Sequence, residues 1–158
     1  MMIKSKIKKS KPTKKINNRR KSRELIMKSI YRGLVNQFDI KQIKKDIHDD
    51  PDFIRADEDL YNEITKGVFK NFEKLKSELS TYLDRPYEEL SPIELSIIYS
   101  SLYELKYSSS VPYKVIINEA IEVAKSFGGV DGYKYINGVL NQAAEKNRKA
   151  EFKKIKKL

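Results

Sequence analysis

The chain has no cysteine, no tryptophan and one histidine, His48. Without cysteine there is no disulfide, no thiolate nucleophile and no zinc–cysteine site, and nothing follows about redox compartment. One histidine cannot build a multi-histidine metal centre. Asp46, Asp49, Asp50 and Asp52 surround it, but they lack the glycine and closing glutamate of a calcium loop. Glycines 128, 129, 132 and 138 neither follow a strand nor precede Lys-Ser/Thr as a phosphate-binding loop requires. Carboxylates beside lysines on helical faces read as solvated surface. No nucleophile–base pair is present, so the sequence predicts no enzyme and no cofactor. No apolar run approaches the length of a membrane span, and no apolar stretch follows the basic N-terminus as in a secretory signal. A soluble, cytoplasmic protein is expected.

What is abundant is positive charge, and it is segregated. The net charge is +11, and residues 1–23 hold eleven Lys or Arg with no acid. Residues 146–158 add seven basic residues against Glu151 alone, while residues 24–145 carry fifteen basic against twenty-one acidic residues. A mildly acidic body therefore has two basic ends. Ends this poor in apolar residues cannot offset their ordering entropy by burial, so residues 1–18 are expected to be a disordered lysine-rich tail, with 149–158 a basic C-terminal tail. A polyphosphate backbone is the natural partner for such charge, although a merely solubilising tail is the competing reading. Neither end has the apolar face that an interfacial membrane helix needs. In Arg19-Arg20-Lys21-Ser22-Arg23 arginine replaces lysine at the start of an apolar-periodic stretch. Its planar fork binds phosphate bidentately and stacks on bases.

Apolar periodicity predicts helices throughout. One runs from about Arg20 to Asn36, and a short one covers 40–48 until Asp49-Asp50-Pro51-Asp52 breaks it. A long pattern from Asp57 to Arg85-Pro86 is expected to kink near Gly67–Asn71. Ser91-Pro92-Ile93-Glu94 is a capping-box start for a helix to about Tyr107. Residues 113–127 follow, burying Ile117, Ala120, Ile121, Ala124 and Phe127, and Gly128-Gly129 stops them. Asp131 can cap the last helix, 132–147. No stretch alternates long enough for a sheet. The fold class is all-α, with about seven helices in two packed three-helix-like bundles.

The most informative segment is VPYKVIINEAIEVAKSFGGVDGYKYINGVLNQAA, residues 111–144. It resembles the NusB family, in which V-P-x-K-V-x-I-N-E-A-I-E-L-A-K-x-F-G is followed by K-F-V-N-G-V-L. Arg19–Glu24 matches the family's arginine-rich helix start, Leu102-Tyr103-Glu104-Leu105 its L-Y-E-L segment and Lys66-Gly67-Val68 its central helix. The resemblance spans about 19–147, giving a NusB-like RNA-binding helical domain over 19–148.

The resemblance implies a transcription antitermination factor that binds boxA RNA of nascent ribosomal transcripts together with the ribosomal small-subunit protein NusE. RNA polymerase and other Nus factors would complete the assembly. Arg19, Arg20, Lys21 and Arg23 would be the RNA-binding motif, with Tyr31 beside it. Asp131 and Tyr135 match positions the family uses around its RNA site, and Glu94 matches part of the NusE-binding side. Tyr31 also reads as core packing, and Asp131 also reads as an N-cap. Lys21 stands where arginine is commoner, losing the bidentate fork, and Tyr99 stands where many members have arginine. Two alternatives remain: an interaction scaffold with solubilising tails, or an RNA-binding module like that of ribosomal-RNA methyltransferases. A homodimer is left open.

Overall fold

A computed structural model describes residues 12–36, 39–127 and 131–156. All regular structure among them is helical. The order is α1 (Pro12–Val35), α2 (Ile40–His48), a 3₁₀ turn (Pro51–Arg55), α3 (Glu58–Lys70) and α4 (Phe72–Ser80). A second 3₁₀ turn (Tyr87–Glu89) leads into α5 (Pro92–Tyr107), α6 (Tyr113–Phe127), α7 (Gly132–Asn147) and α8 (Lys149–Lys156).

Local chemistry explains where these helices begin. The first backbone N–H groups of a helix lack intrahelical acceptors, and the chain supplies a side-chain oxygen at several starts. Asp39 accepts from the Gln42 N–H at 3.3 Å, Asp57 from the Leu60 N–H at 3.1 Å, and Asp50 from the Asp52 N–H at 2.8 Å at the 3₁₀ turn. At α5 the expected capping box is complete: Glu94 N–H donates to Ser91 Oγ at 3.1 Å and Ser91 N–H to Glu94 Oε1 at 3.0 Å.

Three boundaries differ from the sequence pattern. Helix α1 reaches back to Pro12, ahead of the start near Arg20. Proline suits a first helical position, and the intervening residues contain no glycine to break the helix. Residues 1–11 of the tail lie outside the described residues. The pattern expected from Asp57 to Arg85 is two helices divided at Asn71, whose side-chain amide donates to the Gly67 carbonyl at 2.8 Å. The second of them ends at Ser80, well before Arg85-Pro86, where the Thr81 N–H and hydroxyl both turn back onto the Glu78 carbonyl three residues earlier. Thirdly, the basic C-terminus is no simple extension: α8 folds back, stacking Phe152 on Tyr113 with ring centroids 5.3 Å apart.

The helices form two groups, α1–α2–α3 and α5–α6–α7, joined where α5 packs on both α1 and α3, with α4 laid against α5. Buried against neighbours on several sides, α5 is apolar around most of its circumference, as a core helix must be. Ile97, Ile98, Tyr99, Leu102 and Leu105 are all fully enclosed. Tyr99 stacks on Phe72 at 4.7 Å and shares a 2.7 Å hydrogen bond with the Tyr87 hydroxyl. That burial explains why tyrosine here offers no contact of the kind an arginine would make.

The α3–α5 crossing depends on Gly67. A methyl group there would overlap the Tyr103 ring, which is backed by Tyr107 at 4.9 Å. Gly67→Ala gains up to about 1 kcal/mol of helix propensity but is expected to lose about 1–3 kcal/mol to overpacking. A urea titration checks it: a midpoint at or above that of the unchanged protein would show that the crossing opens freely.

Candidate nucleic-acid interface

The arginine-rich segment lies in α1, which runs beside α6. Positions 20 and 31 are eleven residues apart, so they share a helix face roughly 16 Å long. Along that face stand Arg20, Lys28 and Tyr31, with Arg19 and Lys21 at its upper edges.

Each of these cations meets a carboxylate. Arg20 forks onto Glu119 of α6 with Nε–Oε1 at 3.1 Å and Nη2–Oε2 at 2.8 Å. Arg19 lies 3.9 Å from Asp57, Lys21 3.2 Å from Glu24 and 3.3 Å from Asp52, and Lys28 3.8 Å from Asp50. The Arg20 fork, then its charge, holds the Glu119 carboxyl below the usual range, overcoming the opposing effect of burial. The side chains of Arg19 and Arg20 remain half exposed. Exposed pairs of this sort contribute about 0–1 kcal/mol, so an incoming phosphate can exchange for the carboxylate at small cost.

Arg23 behaves differently. Grouped by position with the other basic residues, it instead turns inward, its side chain 9% exposed. It forks onto the buried Glu104 of α5 with contacts of 3.1 and 2.8 Å. Its guanidinium is committed to the core and unavailable to a ligand. One helical turn separates a surface arginine from a buried one, which a run of like residues conceals.

At the far end of the face, Tyr31 is partly exposed on the rim of a cleft of about 380 Å³ floored by Met27, Ile47, Ile93 and Phe127. The expectation that Phe127 is core is corrected: it is 37% exposed, its ring lining this open cleft instead of being enclosed. Lys28 Nζ lies 5.7 Å from its ring centroid. Lys28 and Phe127 were missing from the sequence-derived site. Their signal was the shared α1–α6 edge, which only the packing reveals.

The remaining expected residues gather at the start of α7. Asp131 is highly exposed and forms no side-chain cap, so the capping role is not used; it sits 4.0 Å from Lys134. Glu94 is bound within its capping box, with Gly132 close to its other carboxylate oxygen. Tyr135 does not present an open ring: the Arg85 guanidinium covers one face at 3.9 Å from the centroid. Burial and the neighbouring Asp84 charge push its phenol up. Tyr133, close by on the same helix, has Lys125 at 5.2 Å. The acids 46, 50 and 52 are engaged with Arg32, Lys28 and Lys21. His48 lies against Phe53 with the rings tilted and their centroids 4.2 Å apart.

The arrangement sets half-exposed cations and an aromatic cleft along the α1–α6 edge, with Asp131 exposed at the start of α7. No helix among the described residues is long and apolar enough to cross a membrane. Residues 20–145 match the model of the NusB family. The chain is 47% identical over 137 residues to the transcription antitermination protein NusB of Methylobacillus flagellatus, covering 87% of this chain and 89% of that protein. It is 41% identical to the protein of the same name from Neisseria meningitidis, covering 86% and 96%. The structure is similar to that of NusB from T. maritima, with a TM-score of 0.72 at 26% identity, covering 85% of this chain and 96% of that one.

Proposed function

The chain belongs to the NusB family, and from that premise we propose that it serves transcription antitermination by binding boxA-type single-stranded RNA together with NusE. The observation that carries the reading is the α1 edge, where half-exposed Arg19 and Arg20 are held by exchangeable carboxylates beside the Tyr31–Phe127 cleft. Single-stranded RNA is bound by phosphate contacts and by stacking of unpaired bases on aromatic faces. Arg19, Arg20 and Lys21 supply the first, and Tyr31 at the cleft rim supplies the second. Arg23 supports this edge from beneath, and Tyr135 acts through Arg85 stacked on it. Asp131, uncapped and exposed, is free to accept hydrogen bonds from a base. Glu94 and the acidic body face the basic partner NusE, and RNA polymerase with other Nus factors completes the assembly. The role is binding, in the cytoplasm, with no reaction assigned.

The test is a boxA RNA titration of the Arg19→Ala/Arg20→Ala variant across a salt series. Each phosphate that the protein no longer neutralises lowers the slope of log affinity against log salt by about 0.7, so removing two arginines takes away roughly 1.4. Glu119→Gln, which releases the Arg20 fork, should bind at least as tightly as the unchanged protein. Equal slopes for the double variant and the unchanged protein would sink the reading.

A further inference from the structure

On the other side of α5 from the arginine edge lies a second basic surface. Glu104 faces α1, whereas Lys106, two residues on and rotated by about 200°, faces α4 and α7. There it joins Lys74, Lys146 and Lys149 around an open groove of about 610 Å³, with the hydroxyls of Ser77 and Thr81 along one side. The groove contains one acid, Glu78, and that acid is fully engaged. Its carboxylate accepts from Lys106 Nζ at 2.7 Å, the Tyr82 hydroxyl at 2.6 Å and Asn147 Nδ2 at 2.8 Å. Burial works against the charged form, but these hydrogen bonds outweigh it and hold the carboxyl below its usual range.

The contrast with α1 is what gives the groove meaning. Every cation named on the α1 face has a carboxylate within 4 Å, whereas Lys74, Lys146 and Lys149 form no ion pair among the described residues. Four lysines against one glutamate leave the groove at +3. The exposed Lys153 stands four residues beyond Lys149 on the same face of α8. Unneutralised charge of one sign focuses a field that concentrates a counter-charged ligand. The lining has no apolar side chain and no aromatic ring. A protein partner would need an apolar centre, and base reading would need a stacking face. A phosphodiester chain needs neither.

We propose that this groove binds the phosphate backbone of single-stranded RNA without reading its sequence, as a track separate from the α1 edge. Lys74, Lys146 and Lys149 supply the unneutralised charge. The Glu78–Lys106–Asn147 network fixes the floor, held from behind by the hydroxyl of the buried Tyr82, and Ser77 offers a neutral donor.

The probe is a fluorescently labelled 20-nucleotide polyuridine, titrated by anisotropy across a salt series. Lys74→Gln/Lys146→Gln/Lys149→Gln is expected to lower the salt slope by about 2, at roughly 0.7 for each phosphate left without its lysine, while its far-ultraviolet circular dichroism stays unchanged. The matching Lys→Arg triple variant should keep the slope. An unchanged slope in the Gln variant overturns the proposal. So does equal loss of binding to polyglutamate of the same charge, which would make the occupant an acidic protein. The Arg19→Ala/Arg20→Ala protein separates the two surfaces: if it keeps the full polyuridine slope while the lysine variant loses its share, the groove stands as a track of its own, and the α1 reading is decided by the boxA titration.

Discussion

Arg23→Ala is expected to destabilise the protein by about 3–5 kcal/mol, because removing one partner strands a buried charge. Glu104 is 3% exposed, and both its oxygens accept from the Arg23 guanidinium. Without that fork the carboxylate must protonate, draw in water or force α1 from α5, and each route costs folding energy. Native stability of a domain is only about 5–15 kcal/mol, so this single change removes a large share of it. Glu104→Gln should cost less, since the amide keeps one acceptor and leaves no buried anion, though Arg23 then lacks its counter-charge. Replacing both residues with methionine should recover most of the loss, since an apolar pair of similar volume is often neutral or stabilising. Urea titrations of the three variants test the set. If Arg23→Ala shifts the midpoint no more than Arg19→Ala does, the pair contributes nothing to the fold.

The consequence for RNA binding is a specific one. An Arg23 variant will bind RNA poorly in a crude assay, yet for a different reason from an Arg20 variant. Its loss should track the unfolded fraction and be relieved at low temperature or by the double methionine change. The loss from Arg19→Ala/Arg20→Ala should persist in fully folded protein and emerge as a reduced salt slope. Comparing the variants at matched folded fraction divides the basic cluster into its ligand-facing and core-facing members.

Most of the helical framework was legible because its determinants are local. Ser91 and Glu94 announce α5 within four residues, the 3.6-residue spacing of Ile43 and Ile47 marks α2, and the end of α6 at Phe127 and the start of α7 at Gly132 fall beside glycine and Asp131. What was not legible depends on pairs distant in sequence. Arg23 and Glu104 are 81 residues apart, and no local pattern tells a buried arginine from the more exposed Arg19, Arg20 and Lys21. Tyr135 looks like a free stacking platform until Arg85, fifty positions earlier, is seen across its face. Phe127 fits the apolar stripe of α6 but lines an open cleft against α1, and that placement is set by packing distant in sequence. The groove lysines come from α4, α5, α7 and α8, so each reads alone as ordinary solvated surface. The family resemblance identified the protein's lineage without revealing which of its cations are already neutralised.

Helix α8 supplies the second large expected effect, through the residue just before it. Arg148 donates from Nε to the Leu105 carbonyl at 2.7 Å and from Nη2 to the Glu104 and Ser108 carbonyls at 3.2 and 2.9 Å. Its Nη1 donates to the Val111 carbonyl at 3.0 Å and to Glu151 at 2.7 Å. One guanidinium thus closes the C-terminal end of α5 and the turn into α6. The last carbonyls of a helix lack intrahelical donors, and a cation there also complements the helix dipole. Glu151 extends the clasp by accepting the Tyr113 N–H at 2.8 Å, and Phe152 lies against the Tyr113 ring. A sequence reader sees a lysine-rich end, but Arg148, Glu151 and Phe152 spaced over little more than one turn tie it to the fold. Arg148→Met keeps the length of the side chain and removes every donor. With several carbonyls left unsatisfied at a side chain only 9% exposed, the expected loss is about 2–4 kcal/mol. For a chain of this size that corresponds to a fall in Tm of roughly 4–16 °C. Arg148→Lys should recover only part, because an ammonium keeps the charge but cannot span four carbonyls with a planar fork. The change should also release α8, raising amide hydrogen exchange in Lys149–Lys156 and at Tyr113 while α1–α3 stay protected. Uniform loss of protection across the molecule would show that the clasp is a global strut. An unchanged Tm would show that water replaces the guanidinium at no cost.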